Sequence, residues 1–412
     1  MAWLRFLQRA VRSVLSHWSR ERATLRQGVS ALTICVTVTL CAGIVLGAMD
    51  LVLEQTPGLL VLVPSAIGMR GAIFGALAAR LGTGMLLGQF TGSLRRGSFT
   101  AANVEAALLL SIITAVVTAG IAWGASALFE LQSIDVLQLV IVSTVGATIA
   151  SAVVLAVTLT LARTAQARNW DMDAIGTPVV TATADISTLP ALLVGTLLLG
   201  NTIVHIVLGG GMIAVAIGAL VIGLRNSSPL TRQVVRESLP VLAYAGVMGI
   251  LAGTVLETRL ETLVSDPALL VAVPPFMASS GALGGILSAR LSSHLHLGLM
   301  RPSRAPGGRD ALEGSMMMLL GIVGFTVVGV ATWLGAAVFD ITAPPAWQLV
   351  GGLVTGGVLA TCLLFFVAYY AATASFRFGL DPDTSSIPIV TSSMDFLGIL
   401  CLVIGISVVG LG

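Results

Sequence analysis

The sequence predicts an all-α polytopic membrane protein, with about eleven transmembrane helices arranged as two parallel five-helix repeats joined by one connecting helix. Three observations lead there. The 412 residues are 56% hydrophobic and only 10% charged, with a mean hydropathy of +1.00, whereas a soluble domain is about a quarter charged. Apolar runs long enough to cross a bilayer, roughly 20 residues each, follow one another along the whole chain. The chain also repeats itself at one offset, 273 − 63 = 210, set by "VPSAIGMRGAIFGALAARLGT" from Val63 and "VPPFMASSGALGGILSARLSS" from Val273.

Residues 1–28 are basic and carry Trp3 and Trp18. They lack a short apolar core followed by a small-residue cleavage site, so a cytoplasmic amphipathic segment on the inner leaflet is expected rather than a signal peptide. The predicted spans are 29–53, 59–89, 101–128, 136–163, 176–199, 202–224, 239–257, 268–299, 311–338, 346–374 and 386–410. Domains follow: 29–200 for the first repeat, 201–238 for a connecting span and loop, and 239–412 for the second repeat. Loops are short, so no soluble domain is expected beyond the N-terminal segment.

All 21 basic residues are arginine, and their placement orients the spans. With the N-terminus inside, seventeen arginines fall in cytoplasmic segments and only Arg259 falls outside. Outer loops instead carry Asp50, Glu54, Glu130, Asp135, Glu257, Glu261, Asp266 and Asp340. The expectation is a multi-pass plasma-membrane protein with its N-terminus in the cytoplasm and its C-terminus outside. A net charge of +2 gives no reason to expect a nucleic-acid partner. Cys35, Cys41, Cys362 and Cys401 sit in apolar runs without CxxC spacing, which argues against thiolate metal sites and a disulfide framework.

The 210-residue offset pairs more than apolar residues. Pro64 meets Pro274, Gly71 meets Gly281, Gly75 meets Gly285, Arg80 meets Arg290, Trp123 meets Trp333 and Gln138 meets Gln348. Each repeat holds five spans, an odd number. The extra span at 202–224 returns the second copy to the direction of the first, so the pseudo-two-fold axis is expected along the membrane normal. One chain would then act as a fused dimer, functional as a monomer, with a central pathway between its repeats.

Candidate ion-binding residues lie in the fifth span of each repeat. Pro178, Thr181 and Asp185 fall at i, i+3 and i+7 on one helix face, and Pro388, Thr391 and Asp395 repeat it. A carboxylate at membrane depth costs at least ~2.5 kcal/mol and is kept where it faces a bundle interior or water. Two such carboxylates supply −2, which matches one divalent cation. Threonine hydroxyls and backbone carbonyls are hard-oxygen company suited to Mg²⁺. In the second span, Pro64, Gly68, Gly71 and Gly75 form a small-residue stripe, repeated as Pro274, Ala278, Gly281 and Gly285. Its length and its proline predict a kinked or locally unwound helix beside the pathway. Arg70 lies in this span opposite Ser280 and breaks the symmetry. Arg80 and Arg290 are read as snorkelling towards the cytoplasmic surface. Asn103 and Glu313 hold matched positions at the inner end of the third spans and could form a cytoplasmic mouth, although helix-terminal charges are the plainer reading. Asp171, Asp173, Asp381 and Asp383 are read as helix-terminal acids, and His205 as a packed histidine.

At these residues the sequence resembles the MgtE magnesium-transporter family, in its tandem-repeat, solute-carrier-like branch. The matching motifs are "PSAIGMRGAIFGALAARLGTGMLLG", "PPFMASSGALGGILSARLSSHLHLG", "PVVTATAD" and "PIVTSSMD". The resemblance implies transport of divalent cations, chiefly Mg²⁺, through a pore at the domain interface. It also implies that Asp185 and Asp395 bind the ion, and that the protein is not an enzyme. Where family members commonly have Asn after the glycine of the second-span motif, this chain has Ala72 and Ala282. The cytoplasmic regulatory regions of bacterial members, with their nucleotide-binding CBS pair, have no match here. Direction of transport does not carry over, because the branch includes proteins proposed as channels, exporters and sodium-coupled exchangers. Two other readings compete. One is a proton- or sodium-coupled carrier of another cation or solute. The weaker is a membrane enzyme acting on lipid-linked substrates through the loop aspartates.

Overall fold

The computed structural model describes the whole chain except residues 1–13, 91, 96, 169, 171, 201, 301, 379–381 and 412, and the side chains of 173, 174, 177, 202–204, 309 and 382–385. The described residues form helices and connections, with no strand. The helices are α1 (Arg22–Gly47), α2 (Asp50–Gln55), α3 (Leu59–Leu86), α4 (Phe99–Leu128), α5 (Val136–Arg168), α6 (Met172–Thr196), α7 (Thr202–Leu224), α8 (Pro229–Glu257), α9 (Leu260–Ser265), α10 (Ala268–His296), α11 (Gly308–Val338), α12 (Ala346–Arg377) and α13 (Pro382–Val408). Among the described residues, 11 of these helices are long and apolar enough to cross a membrane. All but α2 and α9 are in that set, and each overlaps a predicted span, although α1 ends before 53 and α8 begins ten residues ahead of 239.

The boundaries follow local chemistry. Ser98 caps α4 by accepting the Ala101 N–H at 3.1 Å, and Ser228 caps α8 by accepting that of Thr231 at 3.4 Å with Pro229 behind it. Gly88 and Gly298 adopt φ of 68° just past α3 and α10, where a left-handed residue closes the helix. The Gln89 N–H then reaches the Gly84 carbonyl at 2.8 Å, and the Leu299 N–H reaches that of His294 at 2.9 Å. Glu130 and Asp340, the same 210 residues apart, take φ of 55° and 53° after α4 and α11. The internal repeat thus extends to rare backbone conformations. Several buried hydroxyls are satisfied within their own helices, as at Thr118 to Thr114 and Thr361 to Gly357, both 2.7 Å. In a span this is the nearest available acceptor.

Two second-span expectations meet the structure differently. The apolar length is there, but α3 and α10 are continuous helices; neither is unwound at Pro64 or at Pro274 and Pro275. The prolines lie within the first two turns, where the carbonyls deprived of a partner, Leu60, Leu270 and Val271, sit at the helix start. Little of the ladder is lost there.

The chain divides into two compact units, Ala48–Leu260 on the one hand and Met1–Gly47 with Glu261–Gly412 on the other. Each unit takes its leading span from the other sequence repeat. In the first unit α8 packs along α3 and α4; in the second α1 packs along α10 and α11. Glycines make the approach possible. A methyl group at Gly253 would collide with the Val61 carbonyl, and one at Gly249 would lie 2.6 Å from the Ser65 Cα. At the equivalent place in the other unit, a methyl at Gly43 would collide with the Val271 carbonyl. That carbonyl has no N–H to receive, because Pro275 stands four residues on. Gly43–Gly47 and Gly249–Gly253 are each four residues apart, the spacing that lets spans pack backbone to backbone.

Candidate functional site

The fifth spans present the predicted motif on continuous helices. In α6 the Thr181 hydroxyl donates to the Pro178 carbonyl at 3.1 Å; in α13 the Thr391 hydroxyl donates to the Pro388 carbonyl at 3.2 Å. A threonine that spends its hydroxyl proton inside its own helix keeps an oxygen of the kind a hard cation accepts. Thr181, Asp185, Thr391, Asp395 and Pro388 are half-buried and Pro178 is exposed. No hydrogen bond or ion pair to the Asp185 carboxylate is found among the described residues. No cluster of three or more His, Cys, Asp or Glu side chains suited to a metal occurs among them either.

Within each unit the second span packs against the fifth, α3 on α6 and α10 on α13. A methyl built on Gly71 would stand 3.7 Å from the Thr181 Cγ2, in ordinary contact, so the glycine stripe faces the threonine. In the other unit a methyl on Gly285 would lie 4.0 Å from the Thr391 Cγ2, and one on Gly398 would lie 3.0 Å from the Ser280 hydroxyl. Ser280 itself donates to the Phe276 carbonyl at 3.0 Å. Gly68, Gly71 and Gly281 are half-buried, while Pro64, Pro274, Ser280 and Arg70 are buried. Of the predicted site residues, the structure brings Gly71 to Thr181 and sets the second and fifth spans side by side.

The arginines read as snorkelling are bonded instead. Arg80 Nε donates to Asn103 Oδ1 at 2.8 Å, and Arg290 Nε donates to Glu313 Oε2 at 2.7 Å, the same bond 210 residues on. Asn103 and Glu313 are buried and tie the second span to the third. The second copy adds a cluster. Arg290 Nη2 reaches Glu21 Oε2 at 3.2 Å, His17 Nε2 stands 3.5 Å from Glu313 Oε1, and Trp18 Nε1 donates to Ser315 Oγ at 3.2 Å. Residues 14–20 are helical, with His17 and Trp18 set against protein and Leu15, Ser16, Ser19 and Arg20 exposed. Sequence reading missed this cluster; the one signal for it was two matched arginines exactly one repeat apart, each 23 residues before a polar partner. The Thr24 hydroxyl and then Arg290 hold the Glu21 carboxyl below its ordinary 4.5. A depressed carboxyl stabilises the fold above its unfolded value and loses that contribution as pH falls through its lower folded value. The Glu21 contact is therefore expected to weaken only below about pH 4.5. Glu313→Ala, which leaves the half-buried Arg290 with Glu21 alone, is expected to cost about 1–3 kcal/mol. Glu21→Gln, at a more exposed contact, is expected to cost less than about 1 kcal/mol. Thermal unfolding in detergent checks the contrast.

His205 is packed as expected, its Nδ1 3.3 Å from Gln138 Nε2. Asp171 and Asp381 lie outside the described residues, as do the side chains of Asp173 and Asp383 and the segment with Trp3.

Comparison with known proteins completes the picture. The MgtE family model, described as a divalent cation transporter, matches residues 63–196 and 273–405. Solute carrier family 41 member 2 of Xenopus laevis is 24% identical over 392 residues, covering 89% of this chain and 68% of its own length. The protein of the same name from Homo sapiens is 25% identical over 403 residues, covering 90% and 69%. That from Gallus gallus is 23% identical over 395 residues, covering 89% and 67%. No solved structure matches the chain.

Proposed function

The chain belongs to the MgtE family of divalent cation transporters, a family of transporters and not enzymes, and on that premise we propose that its cargo is Mg²⁺, anchored by Asp185 and Asp395. One observation carries this reading. The same Pro–Thr–Asp motif occurs on the fifth span of both repeats, its threonines and aspartates half-buried, with each hydroxyl proton already committed to a carbonyl. Mg²⁺ dehydrates reluctantly and keeps several waters. Two carboxylates, with threonine oxygens accepting or meeting those waters, suit a largely hydrated ion. Small residues at Gly68, Gly71 and Gly281 leave room for that bulk beside the fifth spans, and Pro64, Pro274, Ser280 and Arg70 back them.

The bilayer is the second partner, and the arginine bias supports a cytoplasmic N-terminus and an external C-terminus in a plasma membrane. A monomer suffices in this reading, because one chain carries both copies of the site motif; no nucleic acid takes part. Asn103 and Glu313, bonded to Arg80 and Arg290, brace the cytoplasmic ends of the second and third spans. The test is divalent uptake into proteoliposomes holding the wild-type protein. Mg²⁺ flux without an imposed proton or sodium gradient is the expected result. Flux that requires such a gradient and binds no divalent cation would instead favour a coupled carrier of another solute.

A further inference from the structure

One stripe of α8 changes character along its length. Arg232, Arg236, Leu239, Ala243 and Gly246 fall within about 80° of one another at 3.6 residues per turn. Arg232 and Arg236 are exposed, and neither side chain has a hydrogen bond or ion pair among the described residues. Two carboxylates stand near this end of the helix. Glu237 is turned about 100° away from Arg236 and accepts from Gln233 at 2.9 Å, and Glu105 of α4 accepts from Asn226 at 2.7 Å.

Beyond Arg236 the stripe enters a groove of about 290 Å³ between α8 and α4. Leu239, Ala243 and Gly246 line it from α8, Ile113 and Val117 from α4, and the buried Met69 from α3. Its two hydroxyls are spent within α4: Thr118 donates to the Thr114 carbonyl at 2.7 Å, and Thr114 to the Ser111 carbonyl at 3.3 Å. What remains is a hydrocarbon surface. Val117 and Ala243 are exposed, so the groove is open along one side. From Arg236 to Gly246 the helix rises about 15 Å, the depth of one leaflet of a hydrocarbon core about 30 Å thick. A polar solute finds no partner in such a groove, whereas an acyl chain packs there at no cost in hydrogen bonds.

The internal repeat supplies a comparison. Arg22 and Arg26 stand 210 residues before Arg232 and Arg236 and are likewise exposed, on α1. There Val36 takes the place of Gly246 and is 1% exposed. Leu32, in the place of Leu242, packs so close to Gly324 that a methyl built there would lie 3.1 Å from its Cδ1. The basic pair is thus duplicated, while the space beside it is filled on α1 and open on α8.

We propose that Arg232, Arg236 and the α4–α8 groove form a site for one anionic phospholipid, with the phosphate on the two guanidiniums and an acyl chain in the groove. Guanidinium suits phosphate in both charge and geometry, and the arginines stand at the end of the span where a headgroup lies.

The experiment titrates the full, delipidated chain in detergent with dioleoylphosphatidylglycerol and counts bound lipids by native mass spectrometry. One tightly bound phosphatidylglycerol is expected, with dioleoylphosphatidylcholine at least about tenfold weaker, since each arginine beside an anionic lipid is worth about fivefold. The double variant Arg232→Gln, Arg236→Gln loses the same factor for phosphatidylglycerol. Ala243→Phe, at the open side of the groove, weakens binding at least about threefold through lost chain packing, with both arginines intact. The double variant Arg22→Gln, Arg26→Gln leaves the tightest site unchanged. Equal affinity for the two lipids, an equal loss in the Arg22 and Arg26 variant, or unchanged binding in Ala243→Phe overturns the proposal. Displacement of the lipid by inorganic phosphate overturns it as well, because the groove would then contribute nothing. If the Arg232 and Arg236 variant is not recovered folded, Arg236→Gln and Ala243→Phe decide by the same readings.

Discussion

Asp185→Asn and Asp395→Asn are each expected to reduce Mg²⁺ flux at least about a hundredfold in proteoliposomes, with the protein still folded. Amide replaces carboxylate with almost no change in volume, so packing of the fifth span survives. What goes is one of two negative charges. Near a divalent ion in a site of effective dielectric about 20, a charge 4 Å away contributes on the order of several kcal/mol, and each 1.4 kcal/mol is tenfold in affinity. Thr181→Ala and Thr391→Ala should act more weakly, since they remove a neutral oxygen whose proton is already held by Pro178 or Pro388. Wild-type flux in both aspartate variants would remove the fifth spans from the ion's path.

Gly253→Leu and Gly43→Leu are expected to abolish folding or to leave only aggregated protein. At both positions the first added carbon meets a main-chain carbonyl, of Val61 or of Val271, and a main chain inside a helix cannot yield as a side-chain tip can. Overpacking ordinarily costs about 1–3 kcal/mol, and a collision with backbone belongs at or above the top of that range. Gly120→Ala and Gly124→Ala are the controls. Both lie in α4 with nothing within 4 Å of the added methyl, and replacing a helical glycine by alanine gains up to about 1 kcal/mol. Fluorescence-detected size exclusion separates the two outcomes in small cultures.

Much of the architecture was legible in the sequence, for physical reasons that can be named. Eleven spans could be counted because lipid demands long apolar runs and satisfied backbones. The repeat could be found because Trp, Pro, Arg and Asp stayed in one register over 210 residues. The family followed from the same motifs. Packing partners were harder. Apolar spans look alike, so nothing in hydropathy says that α1 joins α10 and α11 while α8 joins α3 and α4. The information was in Gly43, Gly47, Gly249 and Gly253, whose spacing marks close approach, and which match carbonyls on another element rather than anything nearby in sequence.

Proline misled in the other direction. Pro64 and Pro274 suggested kinked or locally unwound helices; α3 and α10 are not unwound, because the prolines stand near the helix starts. The inner-end arginines looked like snorkelling residues because each is long, charged and near a helix end. Only the fold brings Arg80 to Asn103 and Arg290 to Glu313. For Arg70 the sequence already posed the question, a charge present in one copy alone. The structure sharpened it to a buried guanidinium whose Nε and Nη1 are without acceptors among the described residues.

The central proposal is that the fifth-span carboxylates Asp185 and Asp395 bind the transported ion, and calorimetric titration of Mg²⁺ into wild-type, Asp185→Asn and Asp395→Asn protein tests it most directly. The account predicts saturable Mg²⁺ binding in the wild type and at least about a tenfold loss of affinity in each single variant. Mg²⁺ bound with undiminished affinity in either variant would contradict it.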